Sequence, residues 1–172
     1  MAETNTIFSS SIKYAGIFNF PEFYKFCYEW LTEETGLKIK EVKYEEKIEG
    51  EAKKIIVEWT GERKLTDYFR FDIKVKFSIG GLTNIEINQG GAKIKTNKGS
   101  VTIAFKGILV RDYEGKFERT AFNKFLRSMY EKWVITSRIE EFEDKISVDS
   151  DEFLSQAKAY LDLEGKTKPK II

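Results

Sequence analysis

The chain contains no histidine. That excludes every nucleophile pair built on Ser-His or Cys-His, and it removes the commonest transition-metal ligand and the side chain that titrates nearest neutral pH. Cys27 is the single cysteine, so no intramolecular disulfide can form, which fits a reducing compartment. Proline occurs twice, and glutamine only at Gln89 and Gln156. Neither sign of charge dominates: 29 Lys and Arg stand against 28 Asp and Glu, a net charge of +1. There is no bulk field to steer nucleic acid or an anionic membrane, which argues against a nucleic-acid partner and leaves room only for a local patch. No apolar run approaches the ~20 residues a membrane span needs. The N-terminal MAETNTIFSSS has neither the basic region nor the apolar core of a signal peptide. A cytoplasmic or virion-associated protein is the expectation. Richness in Lys, Glu and Ile fits a thermophile, and an AT-rich genome produces the same bias.

What is present is the material for one well-buried domain. The 172 residues are 41% hydrophobic, 15% aromatic and 33% charged. The clearest pattern is DYFRFDIKVKFSI from Asp67 to Ile79. There Phe69, Phe71, Ile73, Val75, Phe77 and Ile79 fall on one parity while Arg70, Asp72, Lys74 and Lys76 fall on the other. A period of two over thirteen residues, roughly 43 Å at ~3.3 Å per residue, predicts the half-buried spine of a large antiparallel sheet.

Before the spine, an irregular first strand is expected between Thr6 and Phe18. Asn19, Pro21 and Glu22 then mark the start of a helix that carries Phe23, Phe26, Cys27, Trp30 and Leu31 and stops near Gly36. Two strands joined at Glu49-Gly50-Glu51 follow, with Val42, Tyr44 and Ile48 and then Ile55, Val57 and Trp59 on the inward parity. After the spine, Gly80-Gly81, Gly90-Gly91 and Asn97-Lys98-Gly99 read as turns or interruptions between shorter strands, and the phase change near Gly107 predicts either a bulge or burial on both faces. From Phe122 the period becomes helical. Phe122, Phe125, Leu126, Met129 and Trp133 make one stripe expected to cover the sheet, and Ile135, Ile139, Phe142 and Ile146 make a second, with a bend near Thr136. A last helix is expected from Asp149 to Gly165, packed as a hairpin across a short Ser147–Ser150 connection. Residues 1–165 thus form a single domain, of which 147–165 are a candidate helical extension, and 166–172 form a short basic tail expected to be mobile.

The fold class is α+β: a meander of about five or six long antiparallel strands, packed on one face by an N-terminal helix and long C-terminal helices. This element order resembles the helix-grip arrangement of START and Bet v 1-like domains, in which a long C-terminal helix lies across a curved sheet. The resemblance rests on element order and carries no motif.

Candidate sites each have a plainer structural alternative. Tyr68, Arg70 and Asp72 offer an anion clamp on the polar face of the spine, against a wet sheet face with ion pairs. Trp59, Phe105 and Trp133, with other aromatic side chains, would line an apolar pocket, as the resemblance implies, or simply fill the core. Cys27 on an apolar helix face reads as a small hydrophobe. Glu140, Glu141, Glu143 and Asp144 read as the solvated side of a helix. No spacing indicates a metal, a cofactor or a catalytic set. The balance favours a non-catalytic domain that acts through protein association, with itself or another protein. Ile135, Ile139, Phe142, Ile146 and Phe153 are the expected interface. The alternative is a carrier of a small apolar ligand, or a histidine-free enzyme, with a cavity between sheet and helices.

Overall fold

The computed structural model describes residues 3–115, 120–134 and 136–167, without the side chains of residues 133, 134, 166 and 167. Five strands form one antiparallel sheet: β1 (Glu3–Phe18), β2 (Lys38–Glu49), β3 (Ala52–Lys64), β4 (Phe69–Gln89) and β5 (Ala92–Arg111). Their spatial order is β1-β5-β4-β3-β2, so β1 and β2 are the edges. Helix α1 (Phe20–Glu33) follows β1, and α2 (Ala121–Met129), a π-helical turn (Tyr130–Val134) and α3 (Thr136–Thr167) follow β5. The class is α+β, with helices on one face of an antiparallel sheet, as the element order implies. Among the described residues no helix is long and apolar enough to cross a membrane.

β4 is the spine, and its alternation is realised residue by residue. Phe69, Phe71, Ile73, Val75, Phe77 and Ile79 are all buried on the helix side, while Lys74 and Lys76 are exposed on the other. The strand is longer than its period-two stretch because Gly80-Gly81 does not turn the chain. Gly81, at φ +58°, sits in a pairing irregularity between Gly80 and Thr83, and the ladder with β5 resumes to Gln89. The turn falls at Gly90-Gly91, with φ of +60° and +83°. Asn97-Lys98-Gly99 likewise lies within β5, paired to β1 on one side and β4 on the other. The shorter strands expected there are therefore halves of one long hairpin. At Gly107 both expectations are met on different sides: Leu109 and Val110 are both buried and β5 keeps its register with β4, while the ladder with β1 shifts between Thr6 and Phe8, opposite Ile108 and Gly107.

α1 begins as its sequence dictates. The Asn19 side chain accepts from the Glu22 backbone N–H at 3.0 Å, Pro21 lies in the first turn, and the helix ends shortly before Gly36 at φ +70°. Its rings lie over β3 and β4, Tyr24 edge-on to Trp59 at 5.0 Å and near Phe77 at 6.3 Å. α3 crosses β1 and β5, with Phe153 against Phe105 at 5.3 Å and Phe142 against Phe69 at 5.2 Å.

Two helical expectations are corrected. Ser147–Ser150 is not a connection: α3 runs unbroken through it, Ser150 is fully buried, and the helix continues past Gly165 to Thr167. The capping residues at Asp149 and Glu152 sit mid-helix, because burial of Ile146, Phe153, Leu154, Ala157 and Leu161 against one sheet outweighs a local start signal. The stripe Phe122, Phe125, Leu126 and Met129 does not cover the sheet; all four side chains are exposed. Val42, Tyr44 and Ile48, expected inward, are exposed on the edge strand β2. The tail from 168 onward lies outside the described residues.

The crossing of α3 over β5 depends on Gly107. A Cβ there would stand 2.7 Å from Ser150 Oγ and 2.8 Å from Ile146 Cγ2, so any larger residue pushes the helix off the sheet. Gly107→Ala is expected to cost about 1–3 kcal/mol through overpacking, measured as a lowered denaturation midpoint at unchanged slope. An unchanged midpoint would show that α3 crosses elsewhere.

Candidate association surface

The residues proposed from sequence do not converge. Arg70 faces the outer, wet side of the sheet, where its Nε and Nη2 donate to Asp72 Oδ1 and Oδ2 at 2.7 and 2.9 Å; Glu62 lies 3.8 Å from its Nη1, and its guanidinium stacks 5.6 Å from the centre of the Tyr113 ring. The fork that would clamp an anion is occupied by the chain's own carboxylates. Trp59 and Phe105 are buried in the core on the opposite face. Trp59 Nε1 donates to the Tyr24 hydroxyl at 3.1 Å, and that hydroxyl donates to Glu41. Burial and the Glu41 bond push the Tyr24 phenol up to about 12. The side chain of Trp133 and all of Ile135 lie outside the described residues. Ile146 and Phe153 are fully buried against this chain's own sheet, and Ile139 and Phe142 pack partly buried beside them.

Tyr68 parts company with Arg70. It precedes β4, is buried, and turns to the helical side, where it anchors a polar cluster drawn from distant parts of the chain. Its hydroxyl donates to Glu131 in the π-helical turn. Arg127 of α2 donates through Nε to the same hydroxyl at 2.9 Å and reaches Glu131 at 3.4 Å, while its Nη2 meets Glu3 of β1 at 2.5 Å. Arg111 at the end of β5 lies 3.7 Å from Glu131 and 3.8 Å from Glu143 of α3. Burial first, then the bond to Glu131, raises the Tyr68 phenol well above its ordinary value, so it stays protonated and serves as a donor. Burial likewise pushes the Cys27 thiol up, away from the reactive thiolate.

This cluster decides how α2 is mounted. The helix opens at Thr120, whose side chain accepts from the Asn123 N–H at 3.1 Å. On a 3.6-residue period, Phe122, Phe125, Leu126 and Met129 share one face, and Asn123 and Arg127 lie on the other. Arg127 ties its face to Tyr68, Glu131 and Glu3, so the polar side points at the body and the apolar side at solvent. Phe122 is 66% exposed and Phe125 57%, on a helix with no buried residue. The π-helical turn then breaks the register before α3, at the place where β-branched residues cluster in the sequence. Thr136 Oγ1 secures the junction by donating to Lys132 O at 2.9 Å.

None of Arg127, Glu131, Glu3 or Arg111 stands out in the sequence, where the i, i+4 spacing of Arg127 and Glu131 is the one signal. Glu143, which reads there as part of a solvated helix side, is half-buried 3.8 Å from Arg111; only the folded sheet brings Glu3, Arg111 and Glu143 together.

These features define the class of the protein: an α+β domain of five antiparallel strands that carries an amphipathic helix apolar side outward. Comparison with protein-family models, with curated proteins and with solved structures finds no match.

Proposed function

We propose that this chain is a non-catalytic binding domain that acts by protein association, with a second copy of itself as the partner and the apolar face of α2 as the contact. The observation that carries this reading is the inverted mounting of α2. A helix that spends its charged side on the body and leaves Phe122, Phe125, Leu126 and Met129 in water has an apolar patch that a partner can cover. The patch is one stripe on one helix, so two copies related by a twofold axis can pair it with itself.

Strand addition is disfavoured as the route. The edge strand β2 reads KIKEVKYEEKIE, and its charges guard the open ladder. The carrier alternative needs a hollow between sheet and helices. The rings of Phe18, Phe23, Phe69, Phe77, Phe105 and Phe153 occupy that layer, and association is the better-supported reading.

Light scattering across a wide concentration series at about 500 mM salt, where ionic contacts are screened, should show a dimer, and Phe125→Glu should render it monomeric under those conditions while leaving the circular dichroism spectrum unchanged. A wild-type chain that is monomeric throughout removes self-association through this helix.

A further inference from the structure

On the outer face of the sheet, strand register assembles a row that no local sequence pattern announces. Ser9 of β1 pairs with Lys106 of β5, Lys106 with Lys74 of β4, Lys74 with Thr60 of β3, and Thr60 with Lys40 of β2. One transverse row across all five strands therefore carries Ser, Lys, Lys, Thr and Lys, with no carboxylate. Lys74 and Lys106 stand directly opposite each other, an arrangement that costs stability when nothing neutralises it. Among the described residues, Lys40, Lys74, Lys76 and Lys106 form no ion pair within 4.0 Å. In the next row, Ala104, Lys76, Glu58 and Lys43 follow in register, adding two lysines and one carboxylate. The acids on the other flank, Asp72 and Glu62, are engaged with Arg70.

The row lies in a trough. One groove of about 450 Å³ runs over Lys74, Lys76 and Lys106, with Val42 and Ala104 between them and Glu58 as its one carboxylate, and a second of about 360 Å³ continues over Lys38 and Lys40, shares Thr60 and Lys74, and is bordered by the Arg70-engaged acids Glu62 and Asp72. The surface thus combines unneutralised ammonium groups with apolar patches between them.

The same chain presents the complement on its far side. Along the solvent side of α3, Glu140, Asp144, Val148 and Glu152 recur every four residues, and all four are exposed. The stripe is acidic with one apolar residue, Val148, which is 62% exposed. Its length matches the row: Glu140 to Glu152 spans ~18 Å at 1.5 Å per residue, and Ser9 to Lys40 spans ~19 Å over four inter-strand steps of about 4.8 Å.

We infer that the outer sheet face of one copy docks the acidic stripe of α3 from a second copy. The contact is head-to-tail, because its two surfaces lie on opposite sides of the molecule, so it can propagate beyond a dimer. A net charge of +1 leaves little overall repulsion between copies, and the segregation of charge orients their approach. This contact is independent of the α2 patch, and salt separates them: an ionic contact weakens with ionic strength while an apolar one does not.

The test is sedimentation velocity in a Phe125→Glu background, which removes the α2 contact, at about 50 mM and about 500 mM salt, where the Debye length shortens several-fold. Concentration-dependent oligomers are expected at low salt, with at least a tenfold loss of affinity at high salt. Lys74→Glu with Lys106→Glu should abolish them, as should Asp144→Lys with Glu152→Lys, and mixing these two double variants should restore a complex. Monomers at low salt, or oligomers indifferent to both charge reversals, would overturn the inference. So would monomers that bind inorganic polyphosphate through Lys74 and Lys106, which would assign the trough to a polyanion instead.

Discussion

Phe71→Ala is expected to cost about 3–5 kcal/mol, and Phe125→Ala less than about 0.5 kcal/mol, in chemical denaturation of protein too dilute to self-associate. Both phenylalanines belong to clear apolar stripes, so sequence alone predicts similar losses. Their environments differ completely: Phe71 is 1% exposed, and its removal leaves a cavity between the sheet and the helices, while Phe125 is 57% exposed and its removal leaves none. Lys74→Ala, on the wet face, belongs with Phe125→Ala. Equal midpoints for Phe71→Ala and Phe125→Ala would mean that α2 is covered by its own chain, and the proposed association surface would fall with that result.

The second large effect concerns the end of α3. A chain truncated after Ile146 is expected to lose cooperative folding. Phe153, Leu154, Ala157 and Leu161 are essentially buried, and Phe105 loses one of its two ring contacts among the described residues, that to Phe153, keeping only Phe8. At roughly 1.5–3 kcal/mol for each large side chain returned to water, the loss is comparable to the ~5–15 kcal/mol total stability of a typical domain. From sequence, this segment reads as a helical hairpin whose deletion leaves a folded sheet with an exposed apolar stripe. The unbroken helix makes it half of the layer that covers β1 and β5. Thermal melts followed by near-ultraviolet circular dichroism are the check. A soluble truncated chain with a sharp transition would show that the sheet stands without this half of the helix.

Some of this was determined by sequence, and the reason is that the signals are local. The alternation from Phe69 to Ile79 names its buried parity without reference to any neighbour. Asn19, Pro21 and Glu22 start a helix from their own side chains and backbone, and the absence of histidine holds whatever the fold. The α+β class follows from the order of such segments. Other features depend on partners far along the chain, and only the tertiary structure decided them. Gly80-Gly81 continues a strand because β5 is there to pair with it. Ser147–Ser150 stays helical because Gly107 lets the helix lie close to the sheet. An amphipathic stripe such as Phe122 to Met129 states that a helix has two faces and is silent on which one meets the body. Here the choice was made by Arg127, through Tyr68, Glu131 and Glu3, residues up to 124 positions apart. The lysine row is the extreme case. Its members lie on different strands, and a one-residue slip of any strand would turn that strand's member of the row to the other face.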